Sequence, residues 1–139
     1  MTVTSPAIGI ANVLIAAGVQ TTGWTIYVGG LMTEDDQQIV VRHIGGKAGE
    51  LALAIDYPAI QLLVRGQQGP GGYESAYDKL INCRDALVRI PSGPTAFPNL
   101  TLVKTIGDVL DLGRDDKSRP LFSLNLSLIV TYDSAGYRS

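Results

Sequence analysis

The sequence is poor in the residues that most chemistry uses. Its 139 residues include one cysteine, Cys83, and one histidine, His43. A single cysteine excludes an internal disulfide framework and a cysteine-based metal cluster. His43 stands in a strand-like run beside Arg42 and lacks the nearby partners that a zinc site or a histidine-based triad requires. A structural or solvent-facing histidine is therefore the expectation. Charge is missing from the N-terminal stretch, where the first charged side chain is Glu34. The apolar segment 6–19 is nonetheless too short to span a membrane, and Asn12 interrupts it. Residues 1–7 hold no Lys or Arg, so the basic start of a signal peptide is absent as well. A buried or subunit-contacting helix is expected there, in a soluble protein made in a cytoplasm. Neither sign of charge dominates. Lys and Arg total 11 and Asp and Glu 13, a net charge of −2, which predicts no strong attraction to bare nucleic acid or anionic lipid.

What is present is a core. Apolar residues make up 45% of the chain, and its length suits one domain over residues 1–139. Ser5 followed by Pro6 reads as a helix start, with Ile8, Ala11, Leu14 and Ile15 at helical spacing and Gly18 placed to end it. Ile10 and Val13 make this helix apolar on more than one side, which calls for deep burial or cover by a neighbouring chain. Residues 24–28 and 38–44 read as strands, and the polar turn Thr33 to Asp36 between them suggests a hairpin. Residues 45–54 are ambiguous. Tyr57 and Pro58 mark a break, and 59–65 is a central strand.

The glycine-rich loop 66–72 leads into the clearest helix, 73–90, with Ala76, Tyr77, Leu80, Ile81, Cys83, Leu87 and Val88 as its apolar stripe. Glu74, Lys79, Asn82, Arg84, Asp85 and Arg89 take the other side. Residues 91–94 (PSGP) stop the helix. Strands 100–112 and 121–132 follow, joined by a charged loop. In the last strand Phe122, Leu124, Leu126, Leu128 and Val130 alternate with polar residues, so one face is core. The order α-β-β-β-α-β-β predicts an α+β fold, a mainly antiparallel sheet of about five strands with two helices packed on one face.

Chemistry is harder to find. Gly66 and Gly71 have the spacing of a phosphate-binding loop, but Gly72 and Tyr73 stand where the lysine and hydroxyl residue belong. A close-packed turn is the better account. Cys83 lies on the apolar stripe of its helix and reads as a buried, inert thiol. The pairs Asp35–Asp36 and Asp115–Asp116 lack the spaced acidic pattern of a calcium loop and read as solvated loop tips. No catalytic, cofactor-binding or metal-binding residue is assigned.

Residues 60–66 (IQLLVRG), a short glycine loop, and then 73–80 (YESAYDKL) running on to 85–87 (DAL) resemble the middle of the small tail-terminator and minor capsid (tail completion) proteins of long-tailed bacteriophages. Residues 112–120 (LGRDDKSRP) with 121–130 (LFSLNLSLIV) resemble their closing hairpin. The resemblance spans roughly 57–132, and the first 55 residues match only loosely. It implies a mixed sheet flanked by helices, assembled as a homo-oligomeric, hexameric ring in the tail or neck of the virion. Such a ring sits on the tail tube protein, stops its polymerisation, and meets the head–tail connector or neck protein above. DNA passes through the lumen without being read, and no membrane is involved. The charged tip Arg114, Asp115, Asp116, Lys117 and Arg119, with Gln67 and Gln68 of the glycine loop, are the candidate partner contacts. Two other readings stand beside this one: a head-side connector or head-completion protein, and a small phosphate-ligand-binding domain built on loop 66–72.

Overall fold

The computed structural model describes residues 5–30 and 37–131. The first helix, α1, runs Pro6–Ala16. Ser5 caps it, its hydroxyl accepting from the Ile8 N–H at 3.2 Å, and Pro6 takes the first turn, where no donor is missed. At the other end Gly18 adopts a φ of +76°, and the N–H groups of Gly18 and Val19 donate to the carbonyls of Ile15 and Leu14. This closes the helix with Leu14 and Val19 both buried beneath it.

Strand β1, Thr25–Val28, pairs in parallel with β2, Gln38–Glu50. The hairpin expected here is therefore incorrect. Thr25 lies opposite Gln38 and Val28 opposite Val41, so the two strands run in the same direction. The turn Thr33 to Asp36 on which that expectation rested lies outside the described residues. The hairpin forms one strand later. Residues 45–54 complete β2 and a short 3-10 turn, Leu51–Leu53, and β3 follows as Ile55–Arg65, antiparallel to β2. Tyr57 and Pro58 do not break the chain but lie inside β3. The restriction that proline places on its predecessor disfavours helix and favours extended backbone, so it is compatible with a strand.

Helix α2, Gly72–Val88, then crosses the sheet, and β4, Leu100–Arg114, and β5, Pro120–Thr131, close it in the order β1-β2-β3-β5-β4. All neighbours except β1 and β2 are antiparallel. This is the α+β fold expected, with both helices on one face.

The core lies between helices and sheet. Ile10, Val13 and Leu14 of α1 and Ala76, Leu80, Cys83 and Leu87 of α2 pack on Ile39, Val41, Ile60, Leu62, Val64 and the even-numbered residues 122–130 of β5. The alternation in β5 is what makes one face continuous. Phe97, from the loop between α2 and β4, also enters this core and lies beside Gly9 of α1.

Two members of the predicted α2 stripe, Tyr77 and Val88, are exposed instead, and Lys79, placed on the polar side, is buried. The reason is α1. Lys79 runs under the loop that follows that helix, where its ammonium donates to the Val19 carbonyl and the Thr21 hydroxyl, both at 3.0 Å, and lies over the Trp24 ring. Its stem packs like an apolar side chain while its charge remains satisfied.

Candidate docking surfaces

The two loops singled out in the sequence meet at one end of the sheet. Gly66, the first residue after β3, donates its N–H to the carbonyl of Pro120, the first residue of β5, at 2.9 Å. A methyl group on Gly66 would lie 2.9 Å from the Ala76 Cβ and 3.0 Å from the Pro120 ring, and one on Gly72 would run into the Gln67 carbonyl. The glycine loop is thus a close-packed turn, as expected. Gly66 and Gly72 are there because the chain passes too near itself for a side chain, whereas Gly69 and Gly71 have open space and take positive φ of +92° and +84°. Gln67 and Gln68 project from it into solvent. Helix α2 starts just beyond, tied to β4 by Tyr73, whose hydroxyl donates to Asp111 at 2.9 Å and whose ring sits edge-on to Phe122.

The charged tip divides into two groups. Asp115 faces inward. Its carboxylate accepts from the N–H groups of Lys117 and Arg119 at 3.0 and 2.9 Å and from the Arg119 guanidinium at 2.8 Å, with Arg65 at 3.9 Å. The two arginines are nearly sealed, Arg65 3% and Arg119 4% exposed, and Gln38, opposite Arg65 in the sheet register, is buried too. Partial burial pushes the Asp115 carboxyl upward. The N–H and guanidinium of Arg119, the N–H of Lys117 and the Arg119 charge outweigh it, and the group ends below the ordinary aspartate value of 3.8. Arg114, Asp116 and Lys117 face outward, Arg114 also donating to the Ser118 carbonyl at 2.9 Å. The end of the sheet therefore presents Gln67, Gln68, Arg114, Asp116 and Lys117, while Asp115 and Arg119 hold the turn together. Nothing in the sequence marked Arg65 or Gln38 as parts of this cluster, because their strand pattern is apolar around them.

The remaining candidates have ordinary surroundings. The exposed His43 has its Nε2 3.0 Å from the Gly45 carbonyl, in an open cleft lined by Ser5, Val28 and Arg42 among others. Arg42 donates to Gln61 at 2.7 Å. Cys83 is fully buried, and burial pushes its thiol up to about 12. Native protein is accordingly expected to resist alkylation at Cys83 by iodoacetamide at pH 8 and to react stoichiometrically once unfolded in urea. Labelling of the folded chain at the rate of a free thiol would show that the helix does not shield it.

Exposed apolar side chains are scattered over the surface, among them Val28, Ile44, Leu53 and Leu112, and two short sets lie on β4 and α1. Leu102, Ile106 and Leu110 of β4 are 45%, 50% and 58% exposed. They pair with Ile129, Asn125 and Ser123 of β5, which places them on the sheet face opposite the helices. On α1, Ile8 and Ile15 are 47% and 53% exposed, with exposed Asn12 between them.

What this fold displays is surface: a polar end built from two loops, and short apolar sets on the back of the sheet and on a helix. That is the make-up of a structural subunit. A family model described as "Bacteriophage tail terminator protein" matches residues 13–132, from within α1 through the whole sheet, and the chain belongs to that family. It is a structural phage protein and a virion component, associated with the phage tail and with head–tail components. No curated protein matches the chain. Among the described residues no helix is long and apolar enough to cross a membrane.

Proposed function

We propose that this chain forms a ring that seats on the last ring of the tail tube, ends its polymerisation and joins the tail to the head. The observation that carries this reading is the family match over residues 13–132, which takes in every strand of the sheet. A terminator must bind along the tube axis in both directions. The sheet end carrying Gln67, Gln68, Arg114, Asp116 and Lys117 supports such a contact, since its polar groups stand on a turn already braced by Asp115 and Arg119. A contact made by preformed loops loses little entropy on docking.

The test keeps the brace and removes the outward groups. A phage carrying Arg114→Ala, Asp116→Ala and Lys117→Ala together should produce tails of irregular, extended length, or tails without heads, seen by electron microscopy. Normal particles from that variant would remove this end from the axial contact. Normal tail lengths in a phage lacking the chain altogether would remove the terminator role itself.

A further inference from the structure

We infer that neighbouring copies of this chain join through strand edges: the open edge of β2 over residues 42–50 in one copy runs antiparallel to the open edge of β4 over 104–112 in the next. The inference rests on the ring reading above and names the strands that would build the ring.

Both segments are strands without a core. Strand β2 is buried from Gln38 to Val41 and then exposed at every residue from Arg42 to Glu50. Strand β4 is exposed at every residue from Lys104 to Arg114 except the half-buried Val109. Strands wet on both faces gain little from burial, and a two-stranded ribbon in water is only marginally stable. Each segment is also paired on one side alone. Strand β1 covers the outer edge of β2 only as far as Val41, and β4 stands last in the order β1-β2-β3-β5-β4. Among the described residues no strand meets either outer edge. A row of unpaired N–H and C=O groups is a template for another strand. This chain carries two, on opposite sides of one sheet.

Direction and charge make a second copy the partner. The pairs β2–β3, β3–β5 and β5–β4 are all antiparallel, so β2 and β4 point opposite ways. Rotation about an axis along the strands preserves those directions. It sets β2 of one copy antiparallel to β4 of the next, a heterologous contact of the kind that a closed ring requires. One register also matches charge. With Glu50 opposite Lys104, Lys47 comes beside Asp108. Glu50, which accepts from the Tyr57 hydroxyl, and Lys104, opposite Ser127, both stand on the helix-free face. Sliding the strands until Glu50 faced Asp108 would oppose like charges instead. Bulges interrupt both segments, between His43 and Gly46, Lys47 and Glu50, and Ile106 and Leu110, and such irregularities restrict an edge to one register.

The experiment is a disulfide trap. Opposed residues in an antiparallel pair lie about 4.5–5.5 Å apart at Cα, within reach of a disulfide. Inside one chain, positions 50 and 104 are separated by β3 and β5, three strand spacings or about 14 Å, so they can link only between copies. A chain carrying Glu50→Cys and Lys104→Cys together, and each single variant, are oxidised with and without the tail tube protein. They are then weighed by light scattering and run on a non-reducing gel; the native Cys83 is buried. The double variant should give a ladder of linked multimers, and each single variant should run as a monomer. A double variant that forms multimers in solution but runs as a monomer on the gel would overturn the edge pairing and leave the ring reading intact. Dimers from a single variant in comparable yield would overturn it too, since they would show contact outside this register. Should the double variant fail to assemble, Ala48→Cys with Ile106→Cys probes the same register two residues further on and is read in the same way. A wild-type chain that stays monomeric even with the tube protein would overturn both readings.

Discussion

Replacing Gly9 by alanine is expected to destabilise the protein by about 1–3 kcal/mol, although alanine is intrinsically the better helix former by about 1 kcal/mol. The ring of Phe97 lies where the new methyl would stand: the added carbon would be 2.7 Å from the ring Cγ and closer still to two other ring atoms. Phe97 is buried on all sides, between α1 and the loop that leads into β4, so it has no room to withdraw. Shortening the ring should relieve the clash. Phe97→Leu alone should lower stability by leaving a void, yet Gly9→Ala should be less harmful in that background than in wild type. Urea unfolding of the four proteins of this cycle measures the coupling. A Gly9→Ala protein as stable as wild type would mean that α1 and the loop do not approach as closely as described.

The second large effect is expected at Asp115. Asp115→Ala leaves the buried guanidinium of Arg119 without its carboxylate and removes the acceptor for two backbone N–H groups. Because Asp115 keeps some access to water, the loss should be about 2–3 kcal/mol, below the roughly 3–5 kcal/mol of a fully enclosed pair. The pH dependence has a definite sign. The folded-state carboxyl lies below its ordinary value of 3.8, so its contribution is fully present at neutral pH. It fades as the pH falls below about 4 and is lost once the folded group is protonated. Wild type and Asp115→Ala should therefore differ most at pH 7 and converge toward acid. A difference that stays constant from pH 7 to pH 2 would show that the carboxylate charge is not what the arginines require.

Much of the fold was legible because local signals and tertiary demands agree. Ser5, Pro6 and Gly18 bound α1 for reasons internal to one helix, and the alternation of Phe122 to Val130 sets the buried face of β5 whatever lies on it. The glycine loop was legible as a tight turn, and the departure of Gly72 and Tyr73 from a phosphate-binding pattern was visible in the letters alone. The family resemblance carried by residues 57–132 was likewise present in the sequence, and the family match extends it to residue 13.

Other features depend on residues far apart in the chain. Whether two adjacent strands run parallel depends on where the intervening chain goes, and the composition of β1 and β2 is the same for either direction. Lys79 looks like a surface residue in its helix and becomes an internal one only because Val19, Thr21 and Trp24 come to lie above it. The charged tip gives the same lesson. Five ionisable residues among the six of 114–119 read as one solvated loop, yet Asp115 and Arg119 pair inward, with Arg65 of another strand beside them, and Arg114, Asp116 and Lys117 remain outside. The sequence by itself determined the elements, their order and the apolar face of the sheet, since these follow from backbone propensity and side-chain period. Only the tertiary structure decided which polar groups are buried, which apolar groups remain exposed and which loops share an end, since these are properties of pairs brought together by folding.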